Sequence, residues 1–184
     1  MDVRELRQLH NIKGNKLEYL FFYRSNPKLP ASVVNKTCLS QWHYSSFKIN
    51  NVQYLTAEHY MMVEKAKLFN DNHIVSEIFK TSNPATVKAL GRKVKNFDYY
   101  VWLRHCFDIV VTGNLAKFSQ NPRLAEYLLS TEQKILVEAS PCDKLWGIGL
   151  SENSNGIDNP LNWQGKNLLG FALMEVREKL RKEK

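Results

Sequence analysis

Glu58 and Lys65 stand seven residues apart in the run Tyr54–Phe69. A carboxylate can give or take a proton, and a lysine with a lowered pKa becomes an amine nucleophile. Thr56 is a good N-cap for a helix through this run, and Glu58 then lies in the first turn, where a negative charge meets the positive end of the dipole. On that helix Glu58, Met62 and Lys65 fall at i, i+4 and i+7, so carboxylate and ammonium share a face roughly 10 Å apart along the axis. The separation is too long for a direct salt bridge and suits two ends of a small ligand. An ordinary amphipathic helix, with Met and Phe inward and charges in water, gives the same pattern, and periodicity leaves both readings open. Lys67 lies about 200° round the helix from Lys65 and faces elsewhere.

The flanking elements follow from caps, turns and periodicity. Leu17–Tyr23 reads as an aromatic-rich strand, and Arg24–Pro30 breaks it. Phe47–Tyr54 alternates around Asn50-Asn51, as two short strands joined by a tight turn do. That hairpin delivers the chain to Thr56 and puts Glu58 at the end of a strand. A helix is expected around His73–Lys80, and another starts at Asn83-Pro84 and stops near Gly91. A longer helix is expected from Phe97 to Phe118, with Tyr100, Leu103, Phe107 and Val110 as its buried stripe. Trp102 lies one residue off that stripe, as a cleft aromatic or as one more core ring. Asn121-Pro122 opens a helix through Leu129, and Lys134–Ala139 reads as a strand.

Gly147 and Gly149 in Trp146-Gly147-Ile148-Gly149 allow a close backbone approach to a ligand, or a bulged strand end. A lone Gly-x-Gly is no dinucleotide fingerprint. The polar loop Ser151–Lys166 has the character of a flap. A final helix from Asn167 to about Arg181 points its N-terminus back at this loop, which makes Asn167 and its neighbours a candidate phosphate seat. In that helix Arg177 is expected to pair with a carboxylate.

Helices dominate, so the class is α+β: a mainly helical single domain over residues 17–184 with a small sheet or hairpins, behind a poorly packed N-terminal extension of residues 1–16. The 184 residues are 43% hydrophobic, enough for a sizeable core. No apolar run approaches the ~18 residues of a membrane span, and the N-terminus lacks a signal-peptide core, so a soluble intracellular protein is expected. Cys38, Cys106 and Cys142 are odd in number and far apart, which argues against a disulfide framework or a CxxC site. The histidines show no zinc-hydrolase or zinc-deaminase pairing. Net charge is +8. Residues 1–16 carry four basic and two acidic groups and residues 177–184 five and two, so most of the excess is terminal. Basic ends help a protein approach a polyanion, and solubilising tails explain them equally well. The internal cluster Lys88, Arg92, Lys93 and Lys95 is the better candidate for phosphate contact.

Several separated pieces then match one pattern in order. They are Glu58-His59-Tyr60-Met61-Met62 with Lys65-Ala66, Leu90-Gly91-Arg92, Trp102, Trp146–Gly149, and Gly165–Gly170 with Leu173–Arg177. Over roughly residues 17–181 the chain resembles the NADAR superfamily, the YbiA-like N-glycosidases. The resemblance implies an enzyme that cuts an N-glycosidic bond at the anomeric carbon of a ribose phosphate or ADP-ribose. Relatives are associated with ribosylamino-pyrimidine phosphates of riboflavin synthesis and with ADP-ribose on guanine in nucleic acid; a non-catalytic ADP-ribose reader is the third reading. It carries catalytic roles onto Glu58, Lys65 and Asp143. It makes Trp102, Arg92, Trp146, Gly147, Gly149, Asn167, Ser40 and Arg24 the substrate-binding set. It implies no metal and no organic cofactor. Relatives often show L-S-N-F where this chain has Leu39-Ser40-Gln41-Trp42, and the Arg24–Thr37 and Ser151–Lys166 segments also depart from the pattern. These differences bear on substrate choice more than on chemistry.

Overall fold

The computed structural model describes residues 1–13, 16–24 and 34–182. In chain order its elements are α1 (Val3–Lys13), β1 (Tyr19–Phe22), β2 (Phe47–Ile49), β3 (Val52–Tyr54), α2 (Ala57–Leu68), α3 (Asn72–Phe79), α4 (Pro84–Gly91), α5 (Tyr99–Ser119), α6 (Pro122–Ser130), β4 (Ile135–Glu138) and α7 (Leu168–Lys182), with 3-10 turns at Lys36–Leu39 and Pro160–Asn162. This is the mostly helical α+β class expected, with two two-stranded sheets among the described residues. The break expected over Arg24–Pro30 falls largely outside the described residues. The chain forms two compact units, a contiguous one of residues 41–122 and one made of residues 1–40 with 123–184.

In the contiguous unit, β2 and β3 form the antiparallel hairpin that the Asn50-Asn51 step foretold. Both asparagines take positive φ, 50° and 63°, the left-handed pair a two-residue hairpin turn requires. The side chain of Gln120 ties the hairpin to the end of α5: its amide donates to the Lys48 carbonyl, and its oxygen accepts from the Lys48 N–H, each at 2.8 Å. Helices α2 to α5 pack on one another around Tyr60, Val63, Ala66, Ile78, Val87, Cys106 and Val110. Each start is capped by a side chain that accepts a first-turn N–H: Thr56, Asp71, Asn83 and Asp98.

Of the stripe expected to be buried on α5, Val110 is buried, Leu103 and Phe107 are half-buried and Tyr100 is 73% exposed; the packed face is turned toward Trp102, Cys106, Val110, Gly113, Asn114 and Lys117, all buried. Gly113 explains the rotation, because a Cβ there would stand 2.4 Å from Tyr60 Cδ1. The close approach of α2 to α5 therefore runs along the glycine face. Trp102 belongs to that face.

In the discontinuous unit, β1 pairs in parallel with β4, Tyr19 opposite Ile135 and Phe22 opposite Glu138. Helix α7 packs on β4 and buries Leu169, Phe171, Leu173 and Val176. Arg177, expected to pair with a carboxylate, is 2% exposed. Its guanidinium donates chiefly to the Thr131 hydroxyl and the Lys134 carbonyl, at 2.8 and 2.9 Å, while Glu178 stands 3.8 Å away. Helix α1, expected to be poorly packed, is docked: Leu6 is fully buried, and Arg7 donates to the carbonyls of Pro160 and Trp163.

Candidate functional site

The first turn of α2 is fixed from several sides. The Thr56 hydroxyl accepts from the His59 N–H and stands 2.8 Å from His59 Nδ1, and His59 Nε2 lies 3.0 Å from the Thr81 carbonyl. A carbonyl can only accept, so Nε2 carries the proton and the hydroxyl donates to Nδ1. Burial lowers the pKa of this imidazole, which keeps it neutral in this role. His59 is therefore a structural lock. Tyr60 fastens the same turn to the hairpin, edge-on to Tyr54 with ring centroids 5.1 Å apart.

Glu58, in the same turn, is 2% exposed. Its N–H donates to the Gln41 carbonyl at 3.0 Å, and the Gln41 side chain accepts from buried Asn114 on α5 at 3.1 Å. Gln41 and Asn114 escape a motif reading because their part is to set backbone position. The signal available was polar Asn114 on a helix face whose other buried residues, Lys117 apart, are apolar.

Two turns on, Lys65 is half-buried. Its ammonium donates to the Gly91 carbonyl at the end of α4 at 2.8 Å, and it stands 4.1 Å from the centre of the Phe97 ring and 5.7 Å from that of Trp102. Burial lowers its pKa, the positive charge of Arg92 lowers it further, and Glu58 pulls the other way. Lys67, as its angular position requires, turns away to an exposed ion pair with Glu64 at 2.8 Å, and the hydrogen bond to that carboxylate raises its pKa. The same helix thus carries one lysine whose pKa is lowered and one whose pKa is raised. Arg92 caps α4 and is exposed. The contiguous unit therefore brings together Glu58, Lys65, Arg92 and Trp102, and adds the carbonyl of Gly91, a residue read from sequence as a helix stop and motif glycine, and the ring of Phe97, read as a helix start. A groove of about 400 Å³ between α2 and α5, lined by Tyr60, Glu64, Lys67, His105 and Asp108 among others, contains none of the candidate residues.

The remaining candidates lie in the discontinuous unit. Asp143 accepts from the N–H groups of Leu145 and Trp146 at 3.1 and 2.9 Å, a turn that sets the course of Trp146–Gly149. Gly147 passes under β4, where a Cβ would meet the Glu138 carbonyl at 2.8 Å. Gly149 takes φ +71°, so both glycines answer to backbone geometry within the fold. Ser40 closes the Lys36–Leu39 turn through its N–H to Thr37 and is buried, and Arg24 is exposed with its guanidinium 5.0 Å from the Tyr23 ring centre.

The anion seat expected at the start of α7 is already filled by the protein's own backbone. The N–H groups of Lys166, Asn167, Leu168 and Leu169 donate to the carbonyls of Lys144, Gly147, Leu145 and Trp146. Asn167 itself is fully buried at φ +53°, its side-chain oxygen accepting from the Glu138 N–H at 3.0 Å and its amide donating to the Leu136 carbonyl at 2.9 Å. The helix start is thereby sewn to β4 and to the 144–147 segment. Among the described residues, no group of three or more His, Cys, Asp or Glu could hold a metal ion, and no helix is long and apolar enough to cross a membrane.

The contiguous unit thus holds a buried carboxylate, Glu58, and on the same helix a half-buried lysine, Lys65, beside the rings of Phe97 and Trp102. The family model for the NADAR domain matches residues 21–181. The chain belongs to the NADAR family. An N-glycosidase of Acanthamoeba polyphaga mimivirus is 46% identical over 167 residues, covering 88% of this chain and 95% of the viral protein. N-glycosidase YbiA of Escherichia coli strain K12 is 32% identical over 137 residues, 74% of this chain and 77% of that one. The NMR structure of the E. coli protein YbiA superposes with a TM-score of 0.69 at 27% identity, covering 91% of this chain and 88% of that chain.

Proposed function

We propose that this protein is an N-glycosidase that cleaves the bond between a base nitrogen and the anomeric carbon of ribose, and that its substrate is ADP-ribose joined to guanine in nucleic acid. The observation that carries the chemistry is the setting of Lys65: burial and the charge of Arg92 lower its pKa, on the helical face it shares with the carboxylate of Glu58. The family resemblance and the N-glycosidase relatives support the bond type.

In this mechanism the Lys65 amine attacks C1′ as the C1′–N bond breaks, and that electron pair leaves on the base nitrogen, which takes a proton from a carboxylic acid. Glu58 is the assigned proton carrier, and its charge stabilises the oxocarbenium character that develops at C1′. The ring C1′–O4′ bond then opens with protonation of O4′, leaving an imine between C1′ and Nζ. Water adds to the imine carbon, the C1′–Nζ bond breaks, and Lys65 returns as the amine with the sugar freed. Trp102 shapes the pocket wall beside the amine. Asp143 is assigned as a second carboxylate.

The test is incubation with a guanine-ADP-ribosylated oligonucleotide and, separately, with a ribosylamino-pyrimidine phosphate, each with and without borohydride. Release from the oligonucleotide with a reduced adduct on Lys65 is the expected result. Release without an adduct replaces the imine with direct attack by water. Cleavage of the pyrimidine compound alone assigns the metabolic substrate, and binding of free ADP-ribose with no cleavage leaves a reader.

A further inference from the structure

The start of α5 carries aromatic side chains where a fold would bury them. Phe97, Tyr99 and Tyr100 are 41%, 49% and 73% exposed, and the two tyrosine rings touch each other edge-on, centroids 5.8 Å apart. Phe97 packs one side against Phe69 at 5.3 Å and offers its ring to the Lys65 ammonium at 4.1 Å. The aromatic surface is therefore continuous with the neighbourhood of Lys65.

Charge concentrates on the same stretch. Residues 41–122 hold ten Lys and Arg against six Asp and Glu, and residues 88–104 hold five of those bases and one acid, Asp98. The whole positive excess of the unit thus falls in the seventeen residues that carry the exposed rings. Asp98 is engaged as the cap of α5, accepting from the Val101 N–H at 2.8 Å. Arg92, Lys93, Lys95 and Arg104 are exposed, and Arg104 follows Tyr100 by one helical turn on the same face. Flat rings interleaved with cations match a polyanion with unpaired bases: bases stack on the rings, and phosphates meet the cations. A duplex hides its base faces, and a free nucleotide needs one ring, so neither accounts for three rings in a row with four cations.

From this surface we infer that the α4–α5 segment, residues 92–104, is a binding track for single-stranded nucleic acid, holding nucleotides that flank the base processed at Lys65. The inference rests on the proposed nucleic-acid substrate, and binding of an unmodified strand tests it without any cleavage.

The experiment is fluorescence anisotropy with a labelled mixed-sequence single-stranded oligodeoxynucleotide across a salt series, using the full chain. Replacing both tyrosines (Tyr99→Ala with Tyr100→Ala) is expected to weaken binding about tenfold to a hundredfold, and Tyr99→Phe with Tyr100→Phe to preserve it, because stacking needs the ring and not the hydroxyl. Lys93→Glu with Arg104→Glu should make the slope of log affinity against log salt shallower by roughly 1.4, the value for two lost single-strand phosphate contacts. Lys48→Glu with Lys80→Glu makes the same change of net charge elsewhere in the unit and should leave that slope unchanged.

Wild-type affinity from the tyrosine-to-alanine pair overturns the proposal, as does equal weakening by the two charge-reversal pairs. So does an equal loss of free ADP-ribose binding in the tyrosine variants, which would assign the rings to the small ligand. If the wild type binds the strand as expected yet releases nothing from the ADP-ribosylated oligonucleotide, the glycosidase reading fails and the track stands.

Discussion

Replacing Asn167 tests how the start of α7 is held. Asn167→Ala removes the acceptor for the Glu138 N–H and the donor to the Leu136 carbonyl, at a side chain with no solvent exposure. Each buried group left without its partner costs about 1–3 kcal/mol. A Cβ residue without Asn's local hydrogen bonding at φ +53° adds roughly 1 kcal/mol of strain. Together these predict a loss of about 3–7 kcal/mol in urea unfolding followed by circular dichroism. At ~2–4 °C per kcal/mol for a chain of this size, the melting temperature should fall by roughly 6–28 °C. Asn167→Gly loses the same hydrogen bonds and relieves the strain, so it should be more stable than the alanine variant by about 1 kcal/mol. An alanine variant within about 1 kcal/mol of the wild type would refute the hydrogen-bond argument. Alanine and glycine variants of equal stability would refute the part assigned to backbone strain.

Three further outcomes follow from the site. Arg92→Gln removes a charge that disfavours the Lys65 ammonium, so the Lys65 pKa rises and the acid limb of the pH–rate profile moves to higher pH; an unmoved limb would sever Arg92 from Lys65. Asp143→Asn keeps an acceptor for the N–H groups of Leu145 and Trp146 while losing the charge, so it should retain wild-type stability and lose about 10²–10⁴-fold in kcat. Asp143→Ala should lose both, and full activity in the asparagine variant would reduce Asp143 to a turn residue. Burial, and then the charge of Lys117, hold the His43 imidazole at about 4 in the folded state against the ordinary 6.5. The unfolded chain therefore binds the extra proton first, and stability should decline as pH falls from about 6.5 to about 4 and level off below. His43→Gln should flatten that stretch of a pH–denaturation series.

What was legible in the sequence is what local chemistry decides. Thr56, Asn83-Pro84 and Asn50-Asn51 declare a cap, a helix start and a hairpin because their side chains or φ preferences act within a few residues. The common face of Glu58 and Lys65 is likewise a property of one helix. The buried face of α5 is legible at Val110 and missed at Tyr100, because aromatic content imitates a core stripe, whereas the contact is decided by Gly113, a residue that signals by what it lacks. The parallel pairing of β1 with β4 has no turn to announce it. The backbone donors at the start of α7 looked available because nothing in the residues 144–147 says that their carbonyls will occupy them. Gly91 was read as a helix stop, and its carbonyl, the partner of Lys65, has no side-chain signature at all.

The pairing of residues 19–22 with residues 135–138 also sets an order of events during synthesis. Roughly 115 residues separate the two strands, and at ~5–20 residues per second the ribosome needs about 6–23 s to deliver the second after the first. For that interval Tyr-Leu-Phe-Phe is an emerged strand without its partner, and the contiguous stretch 41–122 is finished before the partner arrives. A nascent chain in this state displays aromatic side chains and open backbone groups together, the combination that recruits chaperones or seeds association. The wait is built into the topology, and no change of residue type in β1 shortens it.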